Sequence, residues 1–308
     1  MARRLAAVSV DLDAIHHYFA IHGLAVEGDA LSRAYDLALE RMGAWAESRR
    51  IPLTLFAVGE DLEREGAAQI VRVLSRRGHA VENHSYSHRY DLTRLDPGAI
   101  QHEIEAGSQA IERVTGRRPE GFRAPGYTVN DALFDALDEA GVGFDSSVFP
   151  CPAYYLAKAA AMGGMRARGR ESRSVLDTPR VLAAPHSPYR PGARWSDSQG
   201  KSRRFVELPV QVTRGARLPF IGTMLGLAGA RGAASLALAC LGEPLVNLEL
   251  HAIDFLDASE GLWALAPYQP ELRVPLADRM AALDAALDVL ARGGHAFVRL
   301  DEAARAFA

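Results

Sequence analysis

Two cysteines in 308 residues, Cys151 and Cys240, are too few for a disulfide framework or a cysteine zinc knuckle, and both read as buried thiols. The chain has no uninterrupted apolar run of about eighteen residues, so no ordinary transmembrane helix is expected. With 35 Lys and Arg against 38 Asp and Glu the net charge is −3, which offers no overall field to nucleic acid. No short-period internal repeat is found, which excludes solenoids and propellers. No signal peptide is expected either. Arg3 and Arg4 precede an apolar run, Leu5–Val10, that is too short for a signal core and ends at Asp11 rather than at small residues. The segment reads as the first β-strand of a cytoplasmic protein.

What remains is ordinary globular composition, 48% apolar and 24% charged, and enough length for a large core. Strand patterns alternate with helical ones. Strands are expected at Leu5–Val10, Leu53–Val58, His79–His84, Gly121–Ala124, Val142–Phe144, Phe205–Val210, Val246–His251 and Ala296–Leu300. Helices are expected over Ala30–Arg49, Asp61–Arg77 with Asp61 at its start, Pro97–Gly116 capped by Asp96, Asn130–Ala140, Gly222–Leu241, Val274–Arg292 and Asp301–Phe307. About seven or eight strands with intervening helices fit a (β/α) barrel in one domain, 1–308, better than two domains. Residues 151–204 break the rhythm, are rich in Arg, Pro and Gly, and read as an elaborated, partly mobile loop region.

The chain is organised around Val81–Tyr90, where His84 and His88 stand four apart. On a helical turn that spacing puts both imidazoles on one face, within reach of one ion. The residue after the first histidine is Ser85 rather than the Glu of the zinc-protease helix, so a third ligand and a base must come from elsewhere. Asp11 and Asp13 alternate at the end of the first strand and share one side of it. Asn247, Glu249 and His251 share a face of a later strand, as do Glu82 and His84. Buried strand carboxylates need partners, and Arg123 is a candidate. Glu82, Glu207 and Glu249 read as structural ion-pairing groups. His16, His17 and His22 read as loop histidines with no metal role. The arginines between Arg166 and Arg204 read as a solvated basic loop, with a substrate phosphate as the sharper alternative.

In chain order these residues form an Asp-x-Asp strand end, His-Ser-x-x-His, Arg-x-Pro, Gly-Phe-Asp-Ser-Ser and Leu-His-x-x-Asp, spread from Ser9 to Asp254. The ordered set resembles the polysaccharide deacetylase family, the NodB-homology domain of carbohydrate esterase family four. The resemblance implies a distorted (β/α) barrel and one divalent metal, zinc with cobalt, nickel or iron compatible, held by Asp13, His84 and His88. It implies Asp11 as general base held by Arg123, His251 as general acid, and an oxyanion donor at Gly126 or Tyr127. Asp145 or Asp254 would orient His251. Three departures stand out. Leu12 separates the two aspartates, which leaves open which is base and which is ligand. Gly126 precedes Tyr127 rather than following it. The fourth motif lacks its usual Asp-Trp.

The reaction implied is hydrolysis of an N-acyl amide, foremost N-acetyl, on an amino sugar. A second reading takes a lipid-linked amino sugar, because the family's aminoarabinose deformylases share the Asp-x-Asp and a Pro-Val strand like Glu207–Val210. A third is a non-catalytic carbohydrate-binding relative. The Gly-rich stretch from Pro219 to Leu241 reads first as a helix packed tightly on the sheet, with an apolar surface for an acyl or polyprenyl tail as the sharper alternative. With no export signal expected, a small glycoconjugate or lipid-linked substrate is expected, and the protein cytoplasmic or membrane-associated.

Overall fold

A computed structural model describes residues 4–25, 30–167, 169, 172, 174–176, 178–198 and 203–308. The first strand, β1 (Leu5–Leu12), is buried along its whole length, as expected of a parallel sheet covered on both faces. It is flanked by β2 (Leu53–Ala57) and β7 (Leu245–His251), which place Phe56 and His251 on either side of Asp11. From β2 the sheet continues through β3 (Ala80–Asn83), β4 (Gly121–Phe122), β5 (Phe144–Asp145) and β6 (Val206–Glu207), every neighbouring pair parallel. A short β8 (Ala296–Phe297) pairs with Leu5 and Ala6 at the start of β1, before the β2 ladder begins at Val8. Among the described residues β6 and β7 share no ladder. The segment between them closes the gap: the Gln211 N–H donates to the Asn247 carbonyl at 3.0 Å, and Ile221 bridges to Glu249. The result is a curled, distorted (β/α) barrel whose parallel strands end at one mouth.

The helices follow the sequence signals closely where a cap is present. Helix α4 (Pro97–Thr115) starts where the Asp96 side chain accepts from the Ala99 N–H, and stops at left-handed Gly116. Helix α5 (Asp131–Glu139) is capped by Asn130. Two expectations are corrected. Asp61 does not start a helix: it lies in a 3₁₀ turn, Glu60–Glu63, ahead of α3 (Glu65–Arg76). Its carboxylate accepts from the Ala14 N–H instead, beside α1 (Ile15–Ile21). Nor is 151–204 all loop. Helix α6 spans Pro152–Ala167, built on the alanines of 157–161, whose helical propensity outweighs the lack of an apolar period. Arg203 and Arg204, at the far end of that stretch, pair with Asp135 and Asp138 of α5. Arg168, Arg170 and Arg173 lie outside the described residues.

The Gly-rich stretch forms α7 (Gly222–Leu238), interrupted at Gly229 by a left-handed residue. Two of its glycines allow close packing. A Cβ at Gly222 would lie 2.1 Å from an Asp254 oxygen, and one at Gly226 would lie 3.0 Å from the Arg279 side chain on α8 (Leu276–Arg292). No helix is long and apolar enough to cross a membrane among the described residues.

Candidate active site

The residues singled out by sequence come from the ends of four strands. Asp11 lies on β1, and Asp13 follows it on the same side. His84 follows β3, Arg123 follows β4, and His251 ends β7. The His84–Tyr90 segment is not a helical turn. It is a loop in which Ser85 and His88 both take positive φ, 64° and 53°. The Ser85 hydroxyl accepts from the His88 N–H, and Glu103 of α4 accepts from the N–H groups of Tyr86 and Ser87 and from the Ser87 hydroxyl. This buried carboxylate folds the loop so that both imidazoles reach Asp13. Sequence reasoning passed over Glu103, which carries no signal beyond its place on a helix.

Asp13 Oδ1 stands 3.3 Å from His84 Nε2 and 3.1 Å from His88 Nε2. The His84 Nδ1 lies 2.8 Å from the Arg123 carbonyl, an acceptor only, so Nδ1 carries a proton and Nε2 is the ring nitrogen turned to Asp13. Asp13 Oδ1 and both ring nitrogens of His88 are buried and make no hydrogen bond among the described residues. Burial opposes charge on Asp13, yet the two histidines hold its pKa well below the usual carboxylate value. Burial also opposes charge on His84, but the Asp11 and Asp13 carboxylates outweigh it and raise its pKa, while burial pushes His88 down to about 4. Asp11 is paired with the Arg123 guanidinium, so the Asp13 carboxylate is left to the two imidazoles. The donor set fits a divalent transition ion.

Arg123 is 0% exposed. Its guanidinium donates to Asp11 Oδ1 at 2.6 Å, to the Ser9 hydroxyl at 2.9 Å, and to the Ser146 hydroxyl and carbonyl at 2.8 and 2.9 Å. It lies 4.1 Å from the Phe56 ring. The two aspartates are therefore distinguished: Asp11 belongs to Arg123, and Asp13 to the histidines.

The ring of His251 has Glu249 as partner, with Nδ1 2.9 Å from Oε1. Burial opposes its charge, but the Glu249 carboxylate prevails and raises its pKa well above the usual histidine value. This corrects the expectation that Asp145 or Asp254 orients the ring. Asp254 accepts from the His251 backbone N–H at 2.9 Å. Asp145 accepts from Ser147 and stands beside Glu207 of the neighbouring strand. The period-two alternation of Asn247, Glu249 and His251 was the available sign of Glu249. Glu82 makes no ion pair among the described residues: it accepts from the N–H groups of Glu120 and Gly121. Gly126 and Tyr127 both take positive φ, 64° and 58°. The Tyr127 N–H donates to the Ala124 carbonyl, whereas the Gly126 N–H has no acceptor among the described residues.

The model of the polysaccharide deacetylase family matches residues 41–144, which carry both histidines and Arg123. Over those residues the chain is similar to the polysaccharide deacetylase family. Within that family, a peptidoglycan deacetylase from Helicobacter pylori is 26% identical over 149 residues, 47% of this chain and 49% of that protein. The chain thus spans about half the length of that relative. A structure from Mycobacterium smegmatis assigned to the polysaccharide deacetylases superposes with a TM-score of 0.63 at 18% identity, covering 100% of this chain and 91% of the other. A carbohydrate esterase family four pseudoenzyme from Bacillus anthracis gives 0.51 at 11% identity, covering 97% and 65%. Likeness at these identities carries the fold.

The Arg123 network generates a stability prediction. Arg123→Ala strands Asp11 as a buried carboxylate without its partner, which costs about 3–5 kcal/mol. Denaturant unfolding of the variant, compared with the parent chain, measures it. A loss below about 1 kcal/mol would mean that water replaces the guanidinium freely.

Proposed function

We propose that this polysaccharide deacetylase relative is a metal-dependent hydrolase that removes an N-acyl group, foremost acetyl, from an amino sugar. The observation that carries the proposal is the convergence of Asp13, His84 and His88 between an Arg-held Asp11 and a Glu-paired His251. Asp13, His84 and His88 would hold the ion. Such an ion supplies acidity to water and polarises an amide carbonyl. Asp11, kept in place by Arg123, takes the proton of the attacking water. The Gly126 N–H is the backbone donor free to meet the developing oxyanion. His251 gives its proton to the departing amine, and Glu249 keeps the imidazole charged until then. A pseudoenzyme among the structural neighbours means that the fold alone does not confer activity. Retention of Asp11, Asp13, His84, His88, Arg123 and His251 favours the enzyme reading over the binding one. The lipid-linked reading gains nothing from Gly222 and Gly226 of α7, which packing accounts for. It rests on the Asp-x-Asp and the Glu207–Val210 segment alone.

Two predictions follow from these roles. Against a panel of N-acetyl and N-formyl amino sugars, Asp11→Asn should keep its metal and lose about two to four orders of magnitude in rate. Asp13→Asn should lose metal. The reverse pattern in metal analysis would exchange the two roles. The second concerns pH. The acid must be protonated, and the Glu249 carboxylate raises the His251 pKa. Glu249→Gln removes that support, so the alkaline limb of the rate profile should move to lower pH by roughly one to three units. An unmoved limb would remove the pair from proton delivery.

A further inference from the structure

Helix α1 brings two histidines that this chemistry leaves unused to the wall of the same cleft. His16 is exposed and His17 is buried, their rings 4.0 Å apart. Asp61 faces both. Its Oδ2 lies 3.1 Å from His17 Nε2, and its Oδ1 lies 3.9 Å from His16 Nε2. One ligand atom from each of the three residues falls within 4.8 Å of the others. The Ala14 N–H, 3.2 Å from Asp61 Oδ2, fixes the carboxylate from the turn between β1 and α1. A plain histidine–aspartate pair needs one imidazole, whereas here two are turned to one carboxylate.

This is the donor set of Asp13, His84 and His88 at comparable spacing, and the two clusters adjoin. The His17 ring is 4.4 Å from that of His88. A cleft of about 650 Å³ is lined by His16, His17, His88, Tyr90 and Glu60, so an ion on the outer cluster has room for water or a substrate oxygen. Two imidazoles and one carboxylate suit a borderline divalent ion and leave an open position. We propose that His16, His17 and Asp61 form a second site for a divalent transition metal such as Zn²⁺, beside the first.

The test is titration of metal-free protein with Zn²⁺ against a competing chromophoric chelator, with metal content measured after desalting. The unmodified chain should take two equivalents. His16→Ala, at an exposed position, should take one, and so should Asp61→Asn, whose amide oxygen still accepts from Ala14. His84→Ala should also take one, from loss of the inner site alone. An unchanged count in His16→Ala, whether one or two, would overturn the proposal. A count that falls in His16→Ala but not in His84→Ala would instead overturn the inner site and leave this one standing.

Discussion

A buried guanidinium is the constraint on which the site depends. Taking a charge out of water costs several kcal/mol unless its donors are met. Arg123 meets this with an ion pair to Asp11, three hydrogen bonds to Ser9 and Ser146, and the face of Phe56. Asn247 ties the same hydroxyls together, accepting from Ser9 and donating to Ser146. The network spans β1, β2, the ends of β4 and β5, and β7, so the register of the barrel interior and the aim of Asp11 are set together. The carbonyl of the same arginine fixes the His84 ring. One residue thereby positions the candidate base through its side chain and a metal-ligand candidate through its backbone.

Around that centre, chemically equivalent groups are set apart by what they touch. Asp11 has the guanidinium, while Asp13 has two imidazoles. His88 is pushed down by burial, while His251 is raised by a carboxylate although burial opposes it. Neighbours that separate titratable groups in this way are how a single cleft comes to hold both an acid and a base. The support lies farther out. Glu103 shapes the histidine loop from α4, and Asp254 anchors the backbone of His251.

Much of this was legible in the sequence, and the failures have physical causes. Strand alternation put Asp11 with Asp13 and Glu249 with His251, because a period of two survives any tertiary context. The spacing of His84 and His88 pointed to a shared ion, but for the wrong local reason. The pair converges through left-handed Ser85 and His88 in a loop, a conformation that a four-residue spacing does not encode. Asp61 looked like a helix cap because the residue type suits one, yet its carboxylate is drawn to Ala14 and His17 across the chain. Helix α6 was hidden because it presents few buried residues and so lacks a period, with Leu156 72% exposed. Glu103 was invisible because a lone acid on a helix most often faces water.

The claim beneath all of this is that Asp13, His84 and His88 are the ligands and Asp11 is not. Anomalous diffraction from crystals grown with Zn²⁺ tests it directly. The account predicts a peak about 2.0–2.2 Å from one Asp13 oxygen and the Nε2 atoms of His84 and His88, with Asp11 still on Arg123. A peak that takes Asp11 as ligand, or no peak between the two histidines, would contradict it.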